Sequence, residues 1–165
     1  MRITIFLLII GIFLFSCDVK KAQNKIKDDN ASHVDTKVAI INDLKLIPFL
    51  DDSCVSFWIP TKLQMSQIDT VVIASLLLRG KSNNWGVNPS SFKQYYRQYI
   101  CYINENGDQL VYINSFIDLS ILEPEDALNW KNTLICYKDG GSSFWQMKIN
   151  FSKKTCVFFM ENGSA

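Results

Sequence analysis

The stretch YYRQYICYINENGDQLVYINSF, residues 95–116, decides the fold. Two runs rich in aromatic and β-branched residues, Tyr95 to Asn104 and Gln109 to Phe116, flank Glu105-Asn106-Gly107-Asp108. Asn-Gly is the strongest short signal for a two-residue type I′ hairpin turn. With Asn106 and Gly107 at the tip, Glu105 opposes Asp108, Ile103 opposes Leu110, Cys101 opposes Tyr112 and Tyr99 opposes Asn114. The other face then receives Tyr102 with Val111 and Ile100 with Ile113. Apolar side chains on both faces predict a central hairpin, covered on both sides. A one-residue slip would exchange the faces, so the turn determines which side chains meet.

Further strands are expected downstream. Phe144 to Phe151 alternates, with Trp145, Met147, Ile149 and Phe151 on one face and Gln146, Lys148 and Asn150 on the other. Ser152-Lys153-Lys154 turns the chain, and Thr155 to Met160 returns it. Thr133 to Tyr137 is a further strand candidate, followed by a turn at Asp139-Gly140-Gly141. Between the hairpin and these strands, Glu123-Pro124-Glu125-Asp126 starts a short helix that reaches Leu128 or Trp130, with proline in the first turn and acids at the positive dipole end.

Upstream lies the main helix, Ser66 to Arg79. Ser66 and Asp69 approximate a capping box. Ile68, Val71, Val72 and Leu76 form its stripe, which Ile73, Leu77 and Leu78 broaden. Arg79 suits the C-terminal dipole, and Gly80 can end the helix. Residues 81–91 read as a loop, Cys54 to Ile59 as a short strand or an extended lead-in before Pro60, and Val38 to Leu50 as a strand or short helix. The expected fold is α+β, with one main helix packed on an antiparallel sheet of about four to five strands. In element order this layout is similar to cystatin-like, nuclear-transport-factor-like and PepSY-like domains, a likeness that implies no function.

The N-terminal end has a different character. Arg2 is the only charge before an apolar run from Ile3 to Phe15, too short for a permanent membrane-spanning helix and ordered like an export signal. Leu14-Phe15-Ser16-Cys17 closes the run. It resembles a bacterial lipobox, with an aliphatic residue third before the cleavage site, a small residue just before it, and then cysteine. The resemblance implies that residues 1–16 are a signal peptide and that Cys17 carries the lipid. Residues 17–37 then read as a polar, flexible linker and 38–165 as one α+β domain. The arrangement looks like the small lipoproteins of Bacteroidota, for which no shared activity is implied.

Composition narrows the chemistry. Seventeen basic against sixteen acidic residues leave no basic surplus for nucleic acid. His33 is the only histidine and falls in the expected linker, so nothing supports Ser-His-Asp or Cys-His catalysis or a histidine-built zinc site. The reading includes no catalytic residue, cofactor or metal. Cys54, Cys101, Cys136 and Cys156 contain no Cys-x-x-Cys pair; they are either disulfide candidates in an envelope compartment or buried thiols. Asp51, Asp52, Glu123, Glu125 and Asp126 stand where turns and helix starts ordinarily place acids, although paired carboxylates could serve a small hydrolase. Trp85, Tyr95, Tyr96, Tyr99 and Arg97 are either core or a platform that stacks on a glycan or anchors a protein partner. The expectation is a lipid-anchored cell-envelope binding or accessory domain without enzymatic activity. The alternatives are a carboxylate-dependent hydrolase and a structural subunit of an envelope complex.

Overall fold

The 95–116 stretch lies at the centre of a six-stranded sheet in the computed structural model, which describes residues 35–43, 45, 50, 54–80 and 86–163. The chain divides into two units, ending and beginning at Asp35 and Thr36, and the second, Thr36–Ala165, carries the fold. Its strands are β1 (Val38–Ile40), β2 (Cys54–Phe57), β3 (Tyr96–Asn104), β4 (Gln109–Phe116), β5 (Phe144–Asn150) and β6 (Thr155–Glu161). β3 to β6 are sequential antiparallel neighbours. The outer side of β3 is shared, since β1 runs parallel to it at 97–99 and β2 antiparallel to it at 102–104. The α+β class holds, but the sheet is mixed rather than purely antiparallel. A parallel pairing needs a long crossover, and the chain between β1 and β3 is long enough to supply one.

The hairpin register differs from the expected one by a single residue. Tyr99 opposes Ile113, Cys101 opposes Val111 and Tyr102 opposes Leu110. Asn104 is the cause. Its carboxamide oxygen accepts from the N–H groups of Asn106 and Asp108, at 3.1 and 2.9 Å. Its own N–H donates to the Asp108 carbonyl, and Gly107 N–H donates to the Asn104 carbonyl. Gly107 has φ +77°, whereas Asn106 stays out of the positive-φ region that a type I′ turn demands of it. The loop is therefore the three-residue kind, a type I-like turn followed by a left-handed glycine. The slip brings Val111 and Ile113 to the face of Tyr99 and Cys101, and sets Ile100 and Tyr102 beside Leu110 and Tyr112 on the other.

One of these faces is covered by α1 (Lys62–Gly80). The helix starts ahead of the expected Ser66. Gln64 N–H donates to Thr61 Oγ1 and Thr61 N–H donates to Gln64 Oε1, a capping box five residues upstream of the expected one. Ile68, Val72 and Leu76 are buried against Tyr99, Cys101, Val111, Ile113, Trp145 and Met147. The apolar stripe is narrower than the sequence predicts, because Leu77 and Leu78 are exposed.

The opposite face presents Ile100, Tyr102, Leu110, Tyr112, Phe116 and Phe144, covered by Leu122, Trp130 and Ile135 from the 117–143 connection. That connection contains α2 (Pro124–Asn129), as the acidic start predicts. The strand expected over Thr133–Tyr137 is absent, because sheet side chains satisfy this backbone instead. Gln98, Asn114 and Gln146 lie side by side across β3, β4 and β5. Gln98 Nε2 donates to the Trp130 and Thr133 carbonyls, and its Oε1 accepts from Ile135 N–H. Asn114 Nδ2 donates to the Ile135 carbonyl, while Gln146 reaches Asn162, whose amide holds the Tyr137 and Asp139 carbonyls. A row of amides thus replaces a strand partner, and buried peptide groups stay paired. Among the described residues no helix is long and apolar enough to cross a membrane.

Candidate functional site

The aromatic platform expected from the sequence is mostly core. Tyr95, Arg97 and Tyr99 are buried, and Tyr96 is half-buried; Trp85 lies outside the described residues. Tyr95 sits edge-on to Trp145, with its hydroxyl donating to the Ser142 carbonyl at 3.1 Å. Burial, and then the Glu161 charge, raise its pKa. Tyr96 stacks on Phe116 and meets Trp130 edge-on, with the Lys37 ammonium 4.7 Å from its ring centre. Tyr99 donates to Asp69 Oδ1 at 3.0 Å, and burial holds its hydroxyl well above the ordinary phenol range. The Arg97 guanidinium stands 4.7 Å over the Phe92 ring and 3.7 Å from Asp69 Oδ2. Asp69, expected to cap the helix, instead binds β3 to it. Tyr95, Arg97 and Tyr99 are thus engaged in packing and internal pairing, while Tyr96 keeps part of its side chain exposed.

The four cysteines are free thiols. Cys101 and Cys156 pack with the helix-side cluster and Cys54 with the opposite one. Cys136 is exposed on the covering connection. Burial pushes the Cys101 thiol up to about 12 and raises Cys54 and Cys136 as well. Of the acids, Glu125 and Asp126 occupy the first turn of α2. Tyr137 donates to Asp126 Oδ2 and accepts from Glu123 N–H, both at 2.8 Å, so this group ties α2 to the covering connection. Asp51, Asp52, His33 and Cys17 lie outside the described residues. Among the described residues, no three His, Cys, Asp or Glu side chains could hold a metal ion.

A concavity opens where sequence patterning gave no sign of one. A groove of about 710 Å³ runs between the C-terminal half of α1 and the start of β6. Val71, Ala74 and Leu78 give it apolar lining, and Thr70, Ser75 and Thr155 give it hydroxyls. Arg79 and Lys154 supply two cations, Cys156 supplies a thiol, and no carboxylate lines it among the described residues. Its volume falls within the usual range of ligand sites. Thr70 and Ser75 donate to the carbonyls of Ser66 and Val71, four residues back, leaving their oxygens as acceptors toward the groove.

Arg79 is held in place. Its Nη2 donates to Cys156 Sγ at 3.7 Å, and its guanidinium carbon is 5.7 Å from the Phe159 ring centre. Lys154 closes the turn into β6 with φ +54°, the one described non-glycine residue at positive φ. The C-terminal carbonyls of α1 oppose an anion with about half a charge. The i, i+4 spacing of Thr70, Ala74 and Leu78, and of Val71, Ser75 and Arg79, could be read from the chain. That β6 forms the other wall could not.

Among the described residues the groove offers cationic, hydroxyl and apolar lining and no positioned acid–base pair. Compared with known proteins, the chain matches no family model, no curated protein and no solved structure.

Proposed function

We propose that this chain is a lipid-anchored binding or accessory domain of the cell envelope, without enzymatic activity, tethered through Cys17 and meeting a protein or glycan partner at the α1–β6 groove. The carrying observation is the groove itself, which among the described residues is lined by Arg79, Lys154, the hydroxyls of Thr70, Ser75 and Thr155, and apolar side chains. The address rests on Leu14-Phe15-Ser16-Cys17 and the polar stretch behind it. More than one acyl chain on Cys17 would give stable anchoring.

The anchor has a direct test. A Cys17→Ala chain should remain unprocessed and leave the lipid-modified fraction, losing metabolic labelling with a fatty acid. If the substituted chain is labelled and processed like the parent, the anchor reading fails.

A further inference from the structure

We infer that Asn106, at the tip of the β3–β4 hairpin, is a site of spontaneous covalent modification. Its side-chain amide closes onto the Gly107 nitrogen and reopens as aspartate or isoaspartate, at a rate set by Asn104. The inference stands apart from the α1–β6 groove and from the anchor at Cys17.

Asn-Gly occurs twice in the chain, at 106–107 and at 162–163. Glycine has no Cβ to shield its own nitrogen, so this pair is open to ring closure. The fold treats the two copies oppositely. Asn162 is 7% exposed. Its Nδ2 donates to the Tyr137 and Asp139 carbonyls at 2.6 and 3.3 Å, and its Oδ1 accepts from Gln146 Nε2 at 3.0 Å. Held on both sides, this carboxamide cannot swing onto Gly163 while the domain is closed. Asn106 is exposed, and among the described residues only its backbone N–H is held, by Asn104 Oδ1. Gly107 faces open space, with nothing within 4 Å of where a Cβ would lie. The restraint is the turn itself. Gly107 N–H donates to the Asn104 carbonyl at 2.9 Å, and that proton must leave before the nitrogen can attack. Asn104 Oδ1 tightens the same turn through the N–H groups of Asn106 and Asp108. Such a turn opens locally without unfolding the sheet beneath it.

The step needs only water. Hydroxide removes the Gly107 N–H proton, the nitrogen bonds to Asn106 Cγ, and the Cγ–Nδ2 bond breaks. Nδ2 leaves as ammonia with a proton taken from water. Water then opens the succinimide at either carbonyl, so one water is consumed and one ammonia released without oxidation or reduction. Both products place a carboxylate between those of Glu105 and Asp108. The isoaspartyl form also adds a methylene to the backbone that Asn104 spans, so the modification acts on the turn that sets the hairpin register.

Asn162 is the internal control. The full chain in neutral detergent would be incubated in mildly alkaline buffer and digested at acid pH. Each Asn-Gly peptide is then followed by mass spectrometry, and isoaspartate by methyl transfer from a carboxyl methyltransferase. A capped hexapeptide of residues Asn104 to Gln109 is the unfolded reference. Asn106 should convert roughly fivefold more slowly than the hexapeptide, the factor for one net peptide hydrogen bond. Asn162 should convert at least about a hundredfold more slowly than Asn106, since it waits on opening of the domain. Asn104→Ala should bring Asn106 up to the hexapeptide rate and leave Asn162 slow. An Asn106 that stays intact while the hexapeptide converts, or an Asn162 that keeps pace with Asn106, would overturn the site. An unchanged rate in Asn104→Ala, or one in which Asn162 accelerates equally, would overturn the role given to Asn104.

Discussion

Gln98 does more than any other single side chain to hold the second layer onto the sheet. Its amide donates to the carbonyls of Trp130 and Thr133 and accepts from Asn114 Nδ2 and Ile135 N–H. All four of its hydrogen-bonding positions are thereby used. In Gln98→Ala, two carbonyls and one N–H under the covering connection lose their partner, each costing about 1–3 kcal/mol if left unpaired. A total loss of about 3 kcal/mol or more is expected, visible as a lower urea midpoint. A loss below about 1 kcal/mol would mean that water or a shifted chain replaces the amide. This role was illegible in the sequence. Gln98 reads there as one polar residue in a strand, and three of its four partners are backbone groups more than thirty positions away. Tyr99 is the converse case: its place in the hairpin run was legible, but its contact with Asp69 was not.

At the scale of elements, α1 and the β3–β4 hairpin were both legible as elements and misplaced in detail. Two capping-box patterns stand in the chain, Thr61 with Gln64 and Ser66 with Asp69, and local pattern cannot choose between them. Tertiary structure does: Asp69 is claimed by Tyr99 and Arg97, leaving Thr61 to start the helix. Thr61→Ala should therefore cost about 1 kcal/mol, the usual loss of an N-cap side chain. Ser66→Ala should stay within about 0.5 kcal/mol. Chemical denaturation of the pair decides it, and the reverse order would return the helix start to Ser66. The hairpin follows the same logic. Asn106-Gly107 marked the turn correctly, but the Asn104 side chain set its length and so the register. A side-chain acceptor within the turn competed with a dipeptide preference and won.

For the whole molecule, the decisive property is a sheet covered on both faces, with a thiol and phenols sealed inside in their neutral forms. Cys101 is held up at about 12 against an ordinary 9.0, and burial raises Tyr99 and Tyr112 as well. Above pH 9 the unfolded chain releases these protons while the folded chain keeps them. Stability is therefore complete below pH 9 and falls as pH rises toward 12. Cys101 alone accounts for roughly 4 kcal/mol of this by pH 12, at 1.36 kcal/mol per pKa unit. Cys101→Ala should accordingly flatten the loss of stability measured between pH 9 and 11, and an unchanged slope would mean that the thiol is not sealed. Legibility stopped at the same scale: α+β and central strands follow from patterning, whereas a parallel β1 and a wall formed by β6 depend on distant partners. β1 has one more consequence, a mechanical one. Tension arriving from the chain ahead of Thr36 meets this three-residue strand first, at the hydrogen bonds from Arg97 N–H to the Lys37 carbonyl and from Ile41 N–H to the Tyr99 carbonyl. A pull along the strand loads both bonds together, and a pull across it opens them in turn. In either case β1 is the fuse, and β2, paired independently farther along β3, keeps that edge half closed after β1 has let go.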